Sequence, residues 1–138
     1  MAKRDLYSIV DDGVGHVVSI ESQAIAATTN GTALDMKDYE SCICLANHGV
    51  CTDGKYLVSL EESDDNSTFS AVAAADLQGS FTTVNAAADQ VEEVVGYIGD
   101  KRYVRAIITE SSAGATGVIT SVCLLRGHPR HLGINLMA

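Results

Sequence analysis

Alternation with a period of two is the pattern that most narrows what this chain can fold into. In residues 56–62 (YLVSLEE), Tyr56, Val58 and Leu60 fall on one side and Ser59 and Glu61 on the other, which predicts a strand with one buried face. Residues 102–110 (RYVRAIITE) alternate less cleanly. Tyr103, Arg105, Ile107 and Thr109 lie opposite Val104, Ala106, Ile108 and Glu110, so both sides are largely covered and a central strand is expected. Residues 118–125 (VITSVCLL) predict a third strand and 16–21 and 41–47 two more, with weaker signals over 68–73, 79–85 and 91–98. Turn chemistry separates these segments: Asn30-Gly31, His48-Gly49, Asp53-Gly54, Asp64-Asp65-Asn66, Gly99-Asp100 and the stretch 111–117. Seven to nine short strands at this spacing predict an all-β antiparallel sandwich, of which a jelly roll is one form.

Composition agrees with that reading. Aromatic residues make up 5% of the chain, tryptophan is absent and proline occurs once, while small and β-branched residues dominate. Two alanine-rich stretches, 71–79 and 85–95, carry helix formers, but each is shorter than the roughly 12 residues an independent helix needs. They read as loops holding at most one helical turn. With 138 residues the chain is expected to form one domain, 1–138, with relatively basic terminal segments at about 1–5 and 126–138.

The formal net charge of -9 argues against nucleic acid as a partner, because affinity for phosphate comes from lysine and arginine. Lys3, Arg4, Arg126 and Arg130 supply four of the nine basic residues, so the ends could dock on an acidic neighbour or simply be solvated. No apolar run approaches the roughly 20 residues of a membrane span. Asp5, Asp11 and Asp12 interrupt what would be the apolar core of a signal peptide, so synthesis and folding in a cytosol are expected.

SCICLANHGVC (41–51) holds three of the four cysteines. Cys42 and Cys44 are separated by one residue, with His48 and Cys51 nearby, a spacing unlike the paired ligands of structural zinc sites or a CxxC redox centre. No metal or cofactor is expected. In a strand, Cys42 and Cys44 share a face opposite Ile43 and Leu45, and the two aliphatic side chains are the natural core residues. The thiols would then face outward. That leaves two readings: Cys42, Cys44, Cys51 and Cys123 pack as small apolar groups, or they form disulfides between subunits once the protein meets an oxidising exterior. The acidic loop 62–69 (ESDDNSTF) lacks calcium-loop spacing and reads as a turn. There is no GxSxG elbow, phosphate-cradling loop or HExxH, so an enzyme is not expected.

The segments LVSLEESDDNSTFSAVAAADLQG (57–79), VVGYIGDKRYVRAIIT (94–109) and LLRGHPRH (124–131) resemble small proteins of tailed bacteriophages and prophages, the head decoration or minor capsid proteins encoded beside the major capsid protein. The resemblance covers roughly residues 5–131; the cysteine-rich strand and the GINLMA tail depart from it. It implies a virion structural protein on the capsid surface, with the major capsid protein as partner and many copies attached by multivalent contact. It also implies a homo-oligomer, a trimer bridging subunits at a local three-fold axis being the natural form. A neck or head-completion protein is the nearest alternative, and a surface carbohydrate-binding module is one of a different class. In GYIGDKRYVR, Tyr97, Lys101, Arg102, Tyr103 and Arg105 have the composition of an interface hot spot; equally, the tyrosines could pack the sandwich edge and the arginines pair with acids such as Glu92 and Glu93.

Overall fold

A computed structural model describes residues 16–130 of the chain. In chain order the strands are β1 (His16–Ile25), β2 (Thr29–Asn30), β3 (Leu34–Asp35), β4 (Tyr39–Cys51), β5 (Lys55–Ser63), β6 (Ser70–Ala71), β7 (Leu77–Gln78), β8 (Val84–Asn85), β9 (Glu92–Tyr97), β10 (Tyr103–Ser112) and β11 (Val118–Pro129). They form two antiparallel sheets. The first has the order β1-β11-β4-β9-β7; the second has the order β2-β10-β5-β6, with β3 also on β10 and β8 also on β5. The chain passes from one sheet to the other at every connection except β2 to β3 and β5 to β6, so both sheets contribute to one core.

The all-β antiparallel sandwich expected from the sequence is therefore observed, with a different distribution of strand lengths. Eleven strands lie among the described residues rather than seven to nine; five are two residues long, whereas β4 and β11 run to 13 and 12 residues. The weak signals at 68–73 and 79–85 correspond to the two-residue strands β6 and β8. The stretch 71–79 contains a single 3-10 turn, Ala74–Asp76, as expected of a segment too short to hold a helix.

Period two orients β5 and β10 correctly. Tyr56, Val58 and Leu60 face the core from β5, and Val104, Ala106 and Ile108 from β10, with Leu124, Val122 and Val95 contributed by the other sheet. Each large aliphatic or aromatic side chain buried this way contributes about 1.5–3 kcal/mol.

Two expectations are corrected in β4. His48-Gly49 is not a loop: the strand continues through it to Cys51, and His48 is buried. The side-chain parity of the strand is also the reverse of the expected one. Cys42, Cys44, Ala46 and His48 point into the core, while Ile43 and Leu45 are each 39% exposed on the outer face. The physical reason lies in the packing between sheets. Large residues such as Tyr56, Leu60 and Ile108 occupy the interior, and small side chains on β4 leave them room.

Candidate functional site

The connection that carries the chain from β9 in the first sheet to β10 in the second turns at Gly99-Asp100, and the loop between β3 and β4 lies beside it, with the end of β11 returning next to both. Together they line a cleft of about 420 Å³ at one end of the sandwich. Lys37, Lys101, Arg102 and Arg130 face this cleft together with Asp38, Glu40 and Asp100. Four of the chain's nine basic residues thus gather at one cleft, on a chain of net charge -9. Arg130 and Lys37, distant in sequence, are brought beside the adjacent Lys101 and Arg102.

Three of the four cations pair with acids from other strands and loops. Lys101 Nζ donates to Asp64 Oδ2 at 2.8 Å. Arg102 makes a two-pronged contact with Asp35, Nε to Oδ1 at 3.1 Å and Nη2 to Oδ2 at 2.9 Å. Its guanidinium holds the Asp35 carboxyl below the ordinary carboxylate range. Arg130 Nε lies 3.8 Å from Glu40 Oε1. All three pairs are solvent-exposed and contribute little stability, so they can open to meet a partner. Lys37 is exposed and has no ion-pair partner among the described residues.

Not every residue expected at an interface lies there. Tyr97 is buried; its hydroxyl donates to Glu62 Oε2 at 2.7 Å and accepts from the Lys101 backbone N–H at 3.1 Å. Burial, followed by the bond to Glu62, pushes its pKa well up. Tyr97 therefore sets the shape of the β9–β10 connection from beneath. Arg126 is also buried, stacked 4.1 Å from the Tyr39 ring centre, with Nη1 donating to the Asp35 carbonyl at 2.7 Å. Arg105 is half-buried between Glu61, at 2.8 Å, and the Phe69 ring, at 4.0 Å. Tyr103 is half-buried beneath the Arg102 guanidinium, 5.0 Å from its ring centre. The arginines do pair locally, but with Asp35 and Glu61 and not with Glu92 or Glu93. Lys3 and Arg4 lie outside the described residues.

The four cysteines are free thiols. Cys42, Cys44 and Cys51 are buried, and desolvation raises the Cys42 pKa to about 12. Their expected outward orientation was the ground for disulfides between subunits, and that ground is removed; Cys123 alone is partly exposed, on the outer face of β11. Asp65 performs the turn role expected of 62–69. It accepts bonds from the Ser67 and Thr68 backbone N–H groups and from the Ser63 hydroxyl, which lower its pKa to about 2.

Two features were missed in the sequence. The first is a buried polar network in which His48 Nδ1 lies 2.9 Å from Thr120 Oγ1 and His48 Nε2 lies 3.2 Å from Glu93 Oε2. Glu93 Oε1 in turn accepts from the Thr82 backbone N–H and hydroxyl at 2.6 and 2.7 Å. The order is hydroxyl, imidazole, carboxylate, and all three residues are buried within the sandwich. Local patterning carried no signal for it, because His48 lies 72 residues from Thr120 and 45 from Glu93 along the chain. The second is the outer face of the first sheet, where Val18, Ile43, Leu45 and Val94 are exposed. Apolar residues on both faces of CICLA and VITSVCLL were the available clue.

Among the described residues no cluster of His, Cys, Asp or Glu has the arrangement of a metal site, and no helix is long and apolar enough to cross a membrane. Tyr39, Tyr56 and Tyr97 are buried, so they form no exposed aromatic platform for a sugar. No protein-family model and no curated protein matches the sequence. Among solved structures, the SPBc2 prophage-derived protein YomS is similar: 15% identical, with 81% of this chain and 93% of that chain covered at a TM-score of 0.51. At that identity the likeness is one of fold, and the chain is accordingly a β-sandwich similar in fold to a prophage-derived protein.

Proposed function

We propose that this chain is a bacteriophage virion protein that decorates or cements the capsid, docking its cleft end on an acidic surface of the major capsid protein. The observation that carries the proposal is how the two motif segments of the family resemblance meet. The acidic turn ESDD and the sheet-to-sheet crossing GYIGDKRYVR are joined by Lys101 to Asp64 and by Tyr97 to Glu62, and so build one end of the sandwich. A fold similar to that of a prophage-derived protein supports the phage assignment.

At that end Lys101, Arg102 and Arg130 can exchange weak, exposed intramolecular pairs for contacts with a partner's carboxylates, and exposed Lys37 can add a further one. Function then rests on shape and charge complementarity repeated over many copies, so modest single contacts give firm attachment. The protein would be made in the host cytosol and carried on the virion surface.

The test is co-sedimentation of the purified chain with capsids lacking it. The expected result is binding that weakens as salt is raised, and that falls in the Arg102→Glu and Arg130→Glu variants. Binding to neck or tail particles and not to capsids would overturn the proposal in favour of a head-completion role.

A further inference from the structure

We propose that the outer face of the first sheet is a contact between two copies of this chain, packed face to face about a two-fold axis. This proposal stands on observations separate from those at the cleft end. The strand register aligns Val18, Cys123, Leu45 and Val94 in one row across β1, β11, β4 and β9. The next row is His16, Leu125, Ile43 and Gly96. Val18, Ile43, Leu45 and Val94 are 42%, 39%, 39% and 58% exposed, so the two rows present aliphatic surface to solvent on β1, β4 and β9, bounded by the Gln78 side chain of β7 beside Gly96. At the usual strand spacing the patch is roughly 14 Å wide. It contains no Asp, Glu, Lys or Arg, on a chain whose net charge is -9. A patch of this kind with a polar rim marks an interaction surface.

The pattern along β4 identifies the occupant. Its outward residues are Ser41, Ile43, Leu45 and Asn47, a polar, aliphatic, aliphatic, polar order that reads the same in reverse. A two-fold axis crossing the strand at Cys44 sets Ile43 of one copy on Leu45 of the other, and Ser41 on Asn47. The rims are complementary in the same sense. Asn47 Nδ2 donates to Glu92 Oε1 at 3.1 Å on one rim, and Ser41 Oγ lies 2.7 Å from His128 Nδ1 on the other. Reversal therefore lays a carboxylate rim against an imidazole rim and brings no like charges together. Two such sheets pack about 10 Å apart with their strands inclined by about 30°.

The apolar rows alone cover less than the roughly 800 Å² per partner of a standard interface, so the polar rows must join the contact and the dimer dissociates on dilution. The contact is isologous, so each pair closes on itself. A trimer would instead need this face to fit a different surface of its neighbour.

Sedimentation velocity over a concentration series of the purified chain tests the proposal. The expected result is a monomer–dimer equilibrium. Leu45→Glu and Ile43→Lys should each weaken it at least about tenfold, since each buries a charge against an aliphatic side chain. Mixing the two variants should restore a dimer, because the carboxylate introduced in one copy then meets the ammonium introduced in the other. Both positions are exposed, and unchanged melting temperatures will show that the monomers remain folded. A chain monomeric at every concentration, an oligomer indifferent to both substitutions, or variants that stay monomeric when mixed would each overturn the proposal.

Discussion

Asp65 and Glu93 show how differently two carboxylates serve the same fold. Asp65 sits in an exposed turn, where two backbone N–H groups and a hydroxyl favour its charged form and lower its pKa from 3.8 to about 2. Because the folded value is the lower one, its contribution to stability is fully present above pH 3.8 and is lost as the pH falls toward about 2. Asp65→Asn removes the titration. Thermal melts should give a gap between wild type and variant that is constant above that window and narrows within it; a gap independent of pH would refute the assignment. Glu93 is buried, and its two oxygens serve His48 and Thr82. Glu93→Ala leaves the buried His48 without its carboxylate and releases Thr82 at the surface, and should cost about 3 kcal/mol in chemical denaturation. A loss below about 1 kcal/mol would mean that water replaces the carboxylate there.

At the level of elements, β4 marks where sequence patterning stops being decisive. On β5 one set of alternate residues is apolar up to Leu60 and the other, Leu57 apart, is polar, so Tyr56, Val58 and Leu60 were legible as core residues from the chain alone. On β4 both sets are apolar over residues 42–46, and period two identifies the strand without saying which side is buried. The choice is made by tertiary packing against the second sheet, which no local window contains. The same limit applies to the cleft. The turn at Gly99-Asp100 and the cations around it could be read from the sequence, but the assignment of Asp35, Asp64 and Glu61 as their partners depends on the register of β3 and β5 against β10. The orientation of β4 can be checked by alkylating the native protein and mapping the labelled thiols by mass spectrometry. Cys123 should react first, with Cys42 and Cys44 protected until the chain unfolds. Rapid labelling of Cys42 or Cys44 in the folded state would contradict the inward parity.

The whole molecule separates two kinds of surface. One end of the sandwich gathers exposed cations in a cleft, while the outer face of the first sheet carries an apolar patch free of charge across four strands. In the proposed arrangement the first meets the capsid and the second meets another copy, so electrostatics governs capture and apolar burial governs pairing. The buried network of His48, Thr120 and Glu93 lies within the sandwich and takes no part in either contact. A decoration role further requires that the protein be present in proportion to the capsid lattice, whatever its affinity for a single site. Quantifying this chain against the major capsid protein in purified virions measures that directly. The account predicts a fixed ratio that scales with the number of capsid subunits; a handful of copies per particle, unchanged by capsid size, would contradict it.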